Sequence, residues 1–153
     1  MEPKGFVTLP SQQLILNNTP GRTCTIKVQT EQSGESVMVF EEVAPPGTAT
    51  TLHLHHNSDE VACILSGEFS FKIGDHVSTG GTGTSAFMPR GIPHAWKNIG
   101  TEPGRAIFIY TPAQAGKLFE ALARLQRPFS PNDPEIAQLF KRHGWEILGP
   151  SPL

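Results

Sequence analysis

The stretch from Gly47 to Gly67 constrains this chain more than any other. It runs Gly47-Thr48-Ala49-Thr50-Thr51-Leu52-His53-Leu54-His55-His56-Asn57-Ser58-Asp59-Glu60, continues from Val61 to Ser66, and closes on Gly67. On a β-strand, side chains two residues apart share a face. His53 and His55 therefore project together, while Leu52, Leu54 and His56 project the other way. Asn57-Ser58-Asp59 has the composition of a turn, and Glu60 opens a second apolar run, Val61 to Leu65. The expectation is a single hairpin that brings two imidazole nitrogens and one carboxylate oxygen to one point. That is most of a metal site, carried on rigid strands.

A fourth ligand follows downstream. The segment from Gly83 to Asn98 carries His94 just after a Pro- and Gly-rich bend, Pro89-Arg90-Gly91-Ile92-Pro93. The two segments together resemble the paired motifs of the cupins. The first, G-x5-H-x-H-x4-E-x6-G, is met by Gly47, His53, His55, Glu60 and Gly67; the second, G-x5-P-x-G-x2-H-x3-N, by Gly83, Pro89, Gly91, His94 and Asn98. Agreement at every fixed position is far beyond chance. The resemblance implies a mainly β, double-stranded β-helix (jelly-roll) barrel and one metal ion per chain on His53, His55, Glu60 and His94. No second pair of motifs is present, so the chain reads as a single cupin.

Bulk properties fit a β-rich globular unit. At 153 residues the chain is long enough for one domain with a sizeable core. The 15 Gly and 14 Pro suit many short strands joined by tight turns. A net charge of -2 with no Lys/Arg cluster argues against nucleic acid or an anionic membrane as a partner. No apolar run approaches transmembrane length, and Met1 to Phe6 lacks the apolar core of a signal peptide. The two cysteines, Cys24 and Cys63, are expected reduced in a cytoplasmic protein.

Along the chain, Phe6 to Leu9 reads as a short edge strand and Asn17 to Gly21 as a turn. Alternation predicts strands over Thr23–Val28, Val37–Phe40, Glu68–Ile73, Thr84–Met88, His94–Asn98 and Arg105–Tyr110, beside the two of the expected hairpin. Thr79 to Gly83 reads as a flexible connection. The barrel with its N-terminal strand is expected to occupy residues 1–111. Residues 112–153 then form a helical extension packed on it, within the same domain. A first helix over 112–126 carries the stripe Leu118, Leu122 and Leu125, with Phe119 and Ala121 beside it; Gly116 weakens its start, and Pro128 and Pro131 end it. Asp133-Pro134 opens a second helix with Ile136, Leu139 and Phe140 on one face and Gly144 as its stop. The tail, Trp145 to Pro150, together with these helices, resembles small quercetin-dioxygenase-like cupins of bacteria.

Three imidazoles and a carboxylate suit Fe, Mn, Ni, Cu or Zn, and the absence of a thiolate argues against a closed structural zinc site. Four protein ligands on a six-coordinate ion leave room for water, O2 or a chelating substrate. Glu60 doubles as a possible base by family chemistry. Ala62 and Ile64 share parity with Glu60, and Trp96 with His94; with Phe69 and Phe71 they are the pocket-lining expectation, which favours an apolar small-molecule substrate. Trp96 reads equally well as plain core. His56, His76 and His143 read as solvated and Cys63 as a small packed hydrophobe; no arginine stands out as the partner of a substrate carboxylate, Arg90 and Arg105 being the only candidates.

The leading functional expectation is a metal-dependent oxidoreductase, a dioxygenase of quercetinase-like type acting on an enolisable or aromatic compound. Two other readings stand beside it: an O2-independent metal-dependent isomerase, lyase or cyclase, and a non-catalytic small-molecule-binding cupin. No helix-turn-helix is legible beside the strands, which argues against a DNA-binding regulator. An unpartnered Phe6–Leu9 strand points to a homodimer formed by strand addition.

Overall fold

The computed structural model describes residues 2–19, 21–125, 127–130 and 132–153. Pro20, read above as part of a turn, and Pro131, read as a helix stop, lie outside the described residues. The strands are β1 (Leu14–Thr19), β2 (Arg22–Val28), β3 (Met38–Ala44), β4 (Leu52–His55), β5 (Asp59–Ser66) and β6 (Phe69–Ile73). They continue as β7 (His76–Gly80), β8 (Ser85–Met88), β9 (His94–Asn98), β10 (Gly104–Thr111) and, after two helices, β11 (Trp145–Gly149). A 3-10 turn, Ala113–Gly116, leads into α1 (Lys117–Arg124), and α2 is Pro134–Arg142.

The strands form two antiparallel sheets. One has the order β1-β2-β3-β10-β5-β8, the other β11-β4-β9-β6-β7. The chain is mainly β, a jelly-roll barrel with two C-terminal helices, as expected. Period-two patterning drives this: β3 and β10 alternate buried and half-buried or exposed residues along their lengths. Their inward residues meet in register, Phe108 opposite Phe40 and Tyr110 opposite Met38. The Phe40 and Phe108 rings stack 5.1 Å apart, and Trp96 lies 5.5 Å from Phe108. Each such ring, taken fully out of water, contributes roughly 1.5–3 kcal/mol of transfer free energy.

The helices complete this core. Leu118 and Leu122 of α1 and Ile136 of α2 are buried in the same hydrophobic cluster as Phe40 and Tyr110, with Phe119, Leu125, Leu139 and Phe140 packed against it. Asp133 caps α2, its carboxylate accepting from the Glu135 amide, and Gly144 ends it at φ +77.

Several local expectations are corrected. Phe6 to Leu9 form no strand and join neither sheet, and Phe6, Val7 and Leu9 are exposed. The N-terminal strand is instead β1, because Leu14 and Leu16 alternate inward and pair opposite Ile26 and Cys24. His76 to Gly80, read as turn and flexible connection, is β7, held by its ladder to β6. The first helix is shorter than 112–126. Its start is a 3-10 turn in which the Ala115 amide donates to Ser58 Oγ, and α1 begins only at Lys117.

The stretch from Trp145, read as a tail, is an edge strand paired to β4, with Trp145 opposite His55 and Ile147 opposite His53. Finally, β4 and β5 are not a hairpin. They belong to opposite sheets, β4 between β11 and β9 and β5 between β10 and β8. His56 to Ser58 therefore carry the chain from one sheet to the other.

Candidate metal centre

That crossing places the histidines of β4 and Glu60 of β5 on facing sheets, with their side chains meeting inside the barrel. His53 pairs directly opposite His94 of β9. The ring centroids lie 4.5 Å apart for His53 and His94, 4.9 Å for His55 and His94, and 5.1 Å for His53 and His55. One ligand atom from each of His53, His55, Glu60 and His94 falls within 4.8 Å of the other three. All four side chains are buried, none more than 4% exposed. The structure thus brings together the four residues that the motifs select.

The loop between β8 and β9 holds His94 in place. Gly91 sits at φ +76, a conformation that L side chains rarely adopt, and its amide donates to His55 O at 2.8 Å. Arg90 is clamped to Asp59 through its backbone amide and its guanidinium, so the loop is tied to the start of β5. Arg105 is likewise engaged, by Glu41. At the far end of β9, the Asn98 amide nitrogen donates to Ala44 O and Glu102 O. Asn98 thus anchors loops, away from the centre.

Hydrogen bonds fix the tautomers of two imidazoles. His53 Nδ1 lies 2.8 Å from Thr51 O and His94 Nδ1 lies 2.9 Å from Ile92 O. A carbonyl can only accept, so each Nδ1 carries the proton and each Nε2 is free to face the centre. His55 differs: both of its ring nitrogens are buried and have no hydrogen-bond partner among the described residues. Leaving a buried polar atom unpaired costs about 1–3 kcal/mol. A cation among the four side chains would satisfy one of these nitrogens, and three imidazoles with a carboxylate are a donor set for a first-row divalent metal.

The electrostatics agree. Burial, with repulsion from His94, holds His53 down to about 4. Burial holds His55 down to about 3. Both are neutral at pH 7, the ligating form. For Glu60, burial pushes its carboxyl upward, but the His94 hydrogen bond and the surrounding imidazoles outweigh it and leave the group lowered. Burial would lower His94, yet Glu60 Oε2 at 3.1 Å from its Nε2 raises it. Without a metal, His94 and Glu60 therefore tend toward an ion pair.

Of the residues expected to line a pocket, Ala62, Ile64, Phe69, Phe71 and Trp96 all lie in the barrel interior and are buried. Phe71 pairs opposite Trp96, and Ala62 opposite Phe108, one inward position along from Ile73–His94 and from Glu60–Tyr110. Trp96 packs on Phe69 and Phe108, with the Arg22 guanidinium 5.7 Å over its ring. His56 and His76 are exposed, and His56 pairs with Glu146. His143 and Cys63 are half-buried.

Two neighbours of the centre escaped the sequence reading. Tyr110 lies opposite Glu60, with its ring 5.2 Å from His55; burial, then the charge of Glu60, pushes its hydroxyl well above the usual range. Its inward parity with Phe108 was a usable signal. Trp145 stacks on His53 at 5.0 Å and meets His55 edge-on at 4.2 Å. Nothing local marks it.

Comparison with known proteins agrees with this geometry. The family model described as a cupin domain matches residues 40–110, from β3 to β10, including all four side chains of the centre. Residues 40–110 thus carry the match to that family, and the fold of the chain is the cupin fold. An RmlC-like cupin from Shewanella frigidimarina superposes with a TM-score of 0.60 at 18% identity, covering 74% of this chain and 96% of that one. A predicted oxalate decarboxylase from Thermotoga maritima gives 0.58 at 20% identity, covering 69% and 98%. By sequence, the chain is 29% identical over 102 residues to the HTH-type transcriptional regulator PuuR of Escherichia coli, covering 67% of this chain and 48% of the regulator. The chain thus spans about half the length of the curated regulators that it matches.

Proposed function

We propose that His53, His55, Glu60 and His94 hold one divalent transition metal, and that the chain is an oxidoreductase of quercetinase-like type acting on a small enolisable or aromatic compound. The observation that carries the metal is the buried His55 ring, whose two nitrogens find no hydrogen-bond partner among the described residues. A bound ion would supply Lewis acidity toward an enolate or carbonyl oxygen. Glu60, with its carboxyl held low, is the base available to a substrate hydroxyl. The Tyr110 hydroxyl, held protonated, is a donor beside Glu60. The surrounding rings exclude bulk water and strengthen these interactions. A homodimer in the cytoplasm, with the exposed Phe6, Val7 and Leu9 at its interface, completes the reading.

The test is turnover of flavonols, diketones and related enolisable compounds by metal-loaded protein, with oxygen uptake followed. The oxygenase reading expects turnover that stops without O2. Unchanged anaerobic turnover would assign an isomerase, lyase or cyclase. A second reading, a ligand-binding module, is favoured by the match to half of a transcriptional regulator. It expects saturable ligand binding with no turnover in either atmosphere.

A further inference from the structure

We propose that Trp145 is a positioning residue of the metal centre, and that the C-terminal strand is therefore part of that centre. This deepens the metal-binding reading and rests on it. The three histidines are not held alike. His53 and His94 are each fixed by a hydrogen bond from Nδ1 to a backbone carbonyl two residues earlier, Thr51 O and Ile92 O. His55 has no hydrogen bond at either nitrogen. Glu60 Oε2 lies 3.6 Å from its Nδ1, beyond hydrogen-bond reach, and the ring is held between two aromatic groups.

Tyr110 stands perpendicular to His55, at 88° and 5.2 Å, and Trp145 meets it at 69° and 4.2 Å. The indole also lies nearly parallel to His53, at 16° and 5.0 Å, so one side chain braces two ligands. Trp145 is itself locked. Its Nε1 donates to Ala115 O at 3.0 Å, Phe119 and Phe140 contact its ring at 5.6 and 5.7 Å, and its backbone pairs opposite His55. A rigid indole on a paired strand restricts the imidazole of His55 to orientations that keep a nitrogen aimed at the centre. Removing it frees that ring, and opens to water the side of the site that the indole covers.

Cobalt(II) titration of the full chain tests this, read by affinity and by the position and intensity of the visible absorption bands. Wild type is expected to bind. Trp145→Ala should bind about ten- to a hundredfold more weakly, the usual cost of losing a group that orients a ligand, with altered bands. Trp145→Phe should recover much of the affinity and the wild-type band shape. Leu148→Ala, at an exposed position on the same strand, should match wild type. Should Trp145→Ala fail to fold, Trp145→Leu keeps apolar volume without the ring and carries the same comparison. Wild-type affinity and bands in the alanine or leucine variant would overturn the inference while leaving the metal site standing. A wild-type chain that binds no cobalt would overturn both.

Discussion

His55 is the residue on which the metal reading turns, because a buried imidazole with two unpaired nitrogens is unfavourable in a protein that binds nothing there. Replacing His55, Glu60 or His94 with alanine should each abolish stoichiometric metal uptake, measured by elemental analysis after reconstitution. His76→Ala, at an exposed position on β7, should leave it unchanged. The same burial makes the metal-free protein acid-sensitive. His53 and His55 are held down from 6.5 to about 4 and about 3, so below pH 6.5 the unfolded chain takes up protons that the folded chain refuses. Stability is then lost as pH falls from 6.5 toward those values. His94 has the opposite sign: its raised pKa contributes stability below 6.5 that fades as pH rises through the folded value. The melting temperature of chelator-treated protein should therefore fall steeply between pH 6 and 4, and a flat profile there would contradict the assignment.

At the scale of elements, the helices pack against Trp145 of the strand that pairs with β4. Gly116 joins the 3-10 turn to α1 where the backbone runs against Met38: an added Cβ would lie 2.6 Å from Met38 Cγ and 2.8 Å from Met38 Cβ. These are the inner atoms of a buried side chain and cannot swing aside. Gly116→Ala should cost about 1–3 kcal/mol through overpacking, although alanine is the better helix former; equilibrium denaturation reads the sign directly. At the other helix, Asp133→Ala removes the cap that bonds the Glu135 amide and should cost about 1 kcal/mol. Because α2 leads directly into β11, hydrogen exchange in that variant should rise along β11 as well as in the first turn of α2.

For the whole molecule, the exposed residues Phe6, Val7 and Leu9 are the feature a lone barrel does not explain. Phe6 is 45% exposed, Val7 85% and Leu9 57%, on a segment whose backbone joins no sheet. A second copy covering them would give the proposed homodimer. Sedimentation equilibrium is expected to show a dimer at micromolar concentration, and Val7→Asp should shift it toward monomer without lowering metal content. A wild-type chain that sediments as a monomer would remove the dimer from the proposed function. Among the described residues no helix is long and apolar enough to cross a membrane.

The sequence by itself determined the identity and parity of His53, His55, Glu60 and His94, the alternating strands of the core, and the second helix with its Asp133 cap and Gly144 stop. These are local properties: a strand repeats every two residues and a cap is read within one turn. Only the tertiary structure decided that β4 and β5 face each other from opposite sheets, because two strands joined by a tight bend look alike in sequence whether they pair or cross over. It also decided that β7 and β11 are strands at all. Both are edge strands with mostly exposed residues, so neither alternates and neither carries a hydrophobic signature. Trp145 lay in that blind spot. Its contact with His53 and His55 depends on which strand β11 pairs with, and that pairing is fixed by helices packing on a barrel whose strands lie far away in the chain.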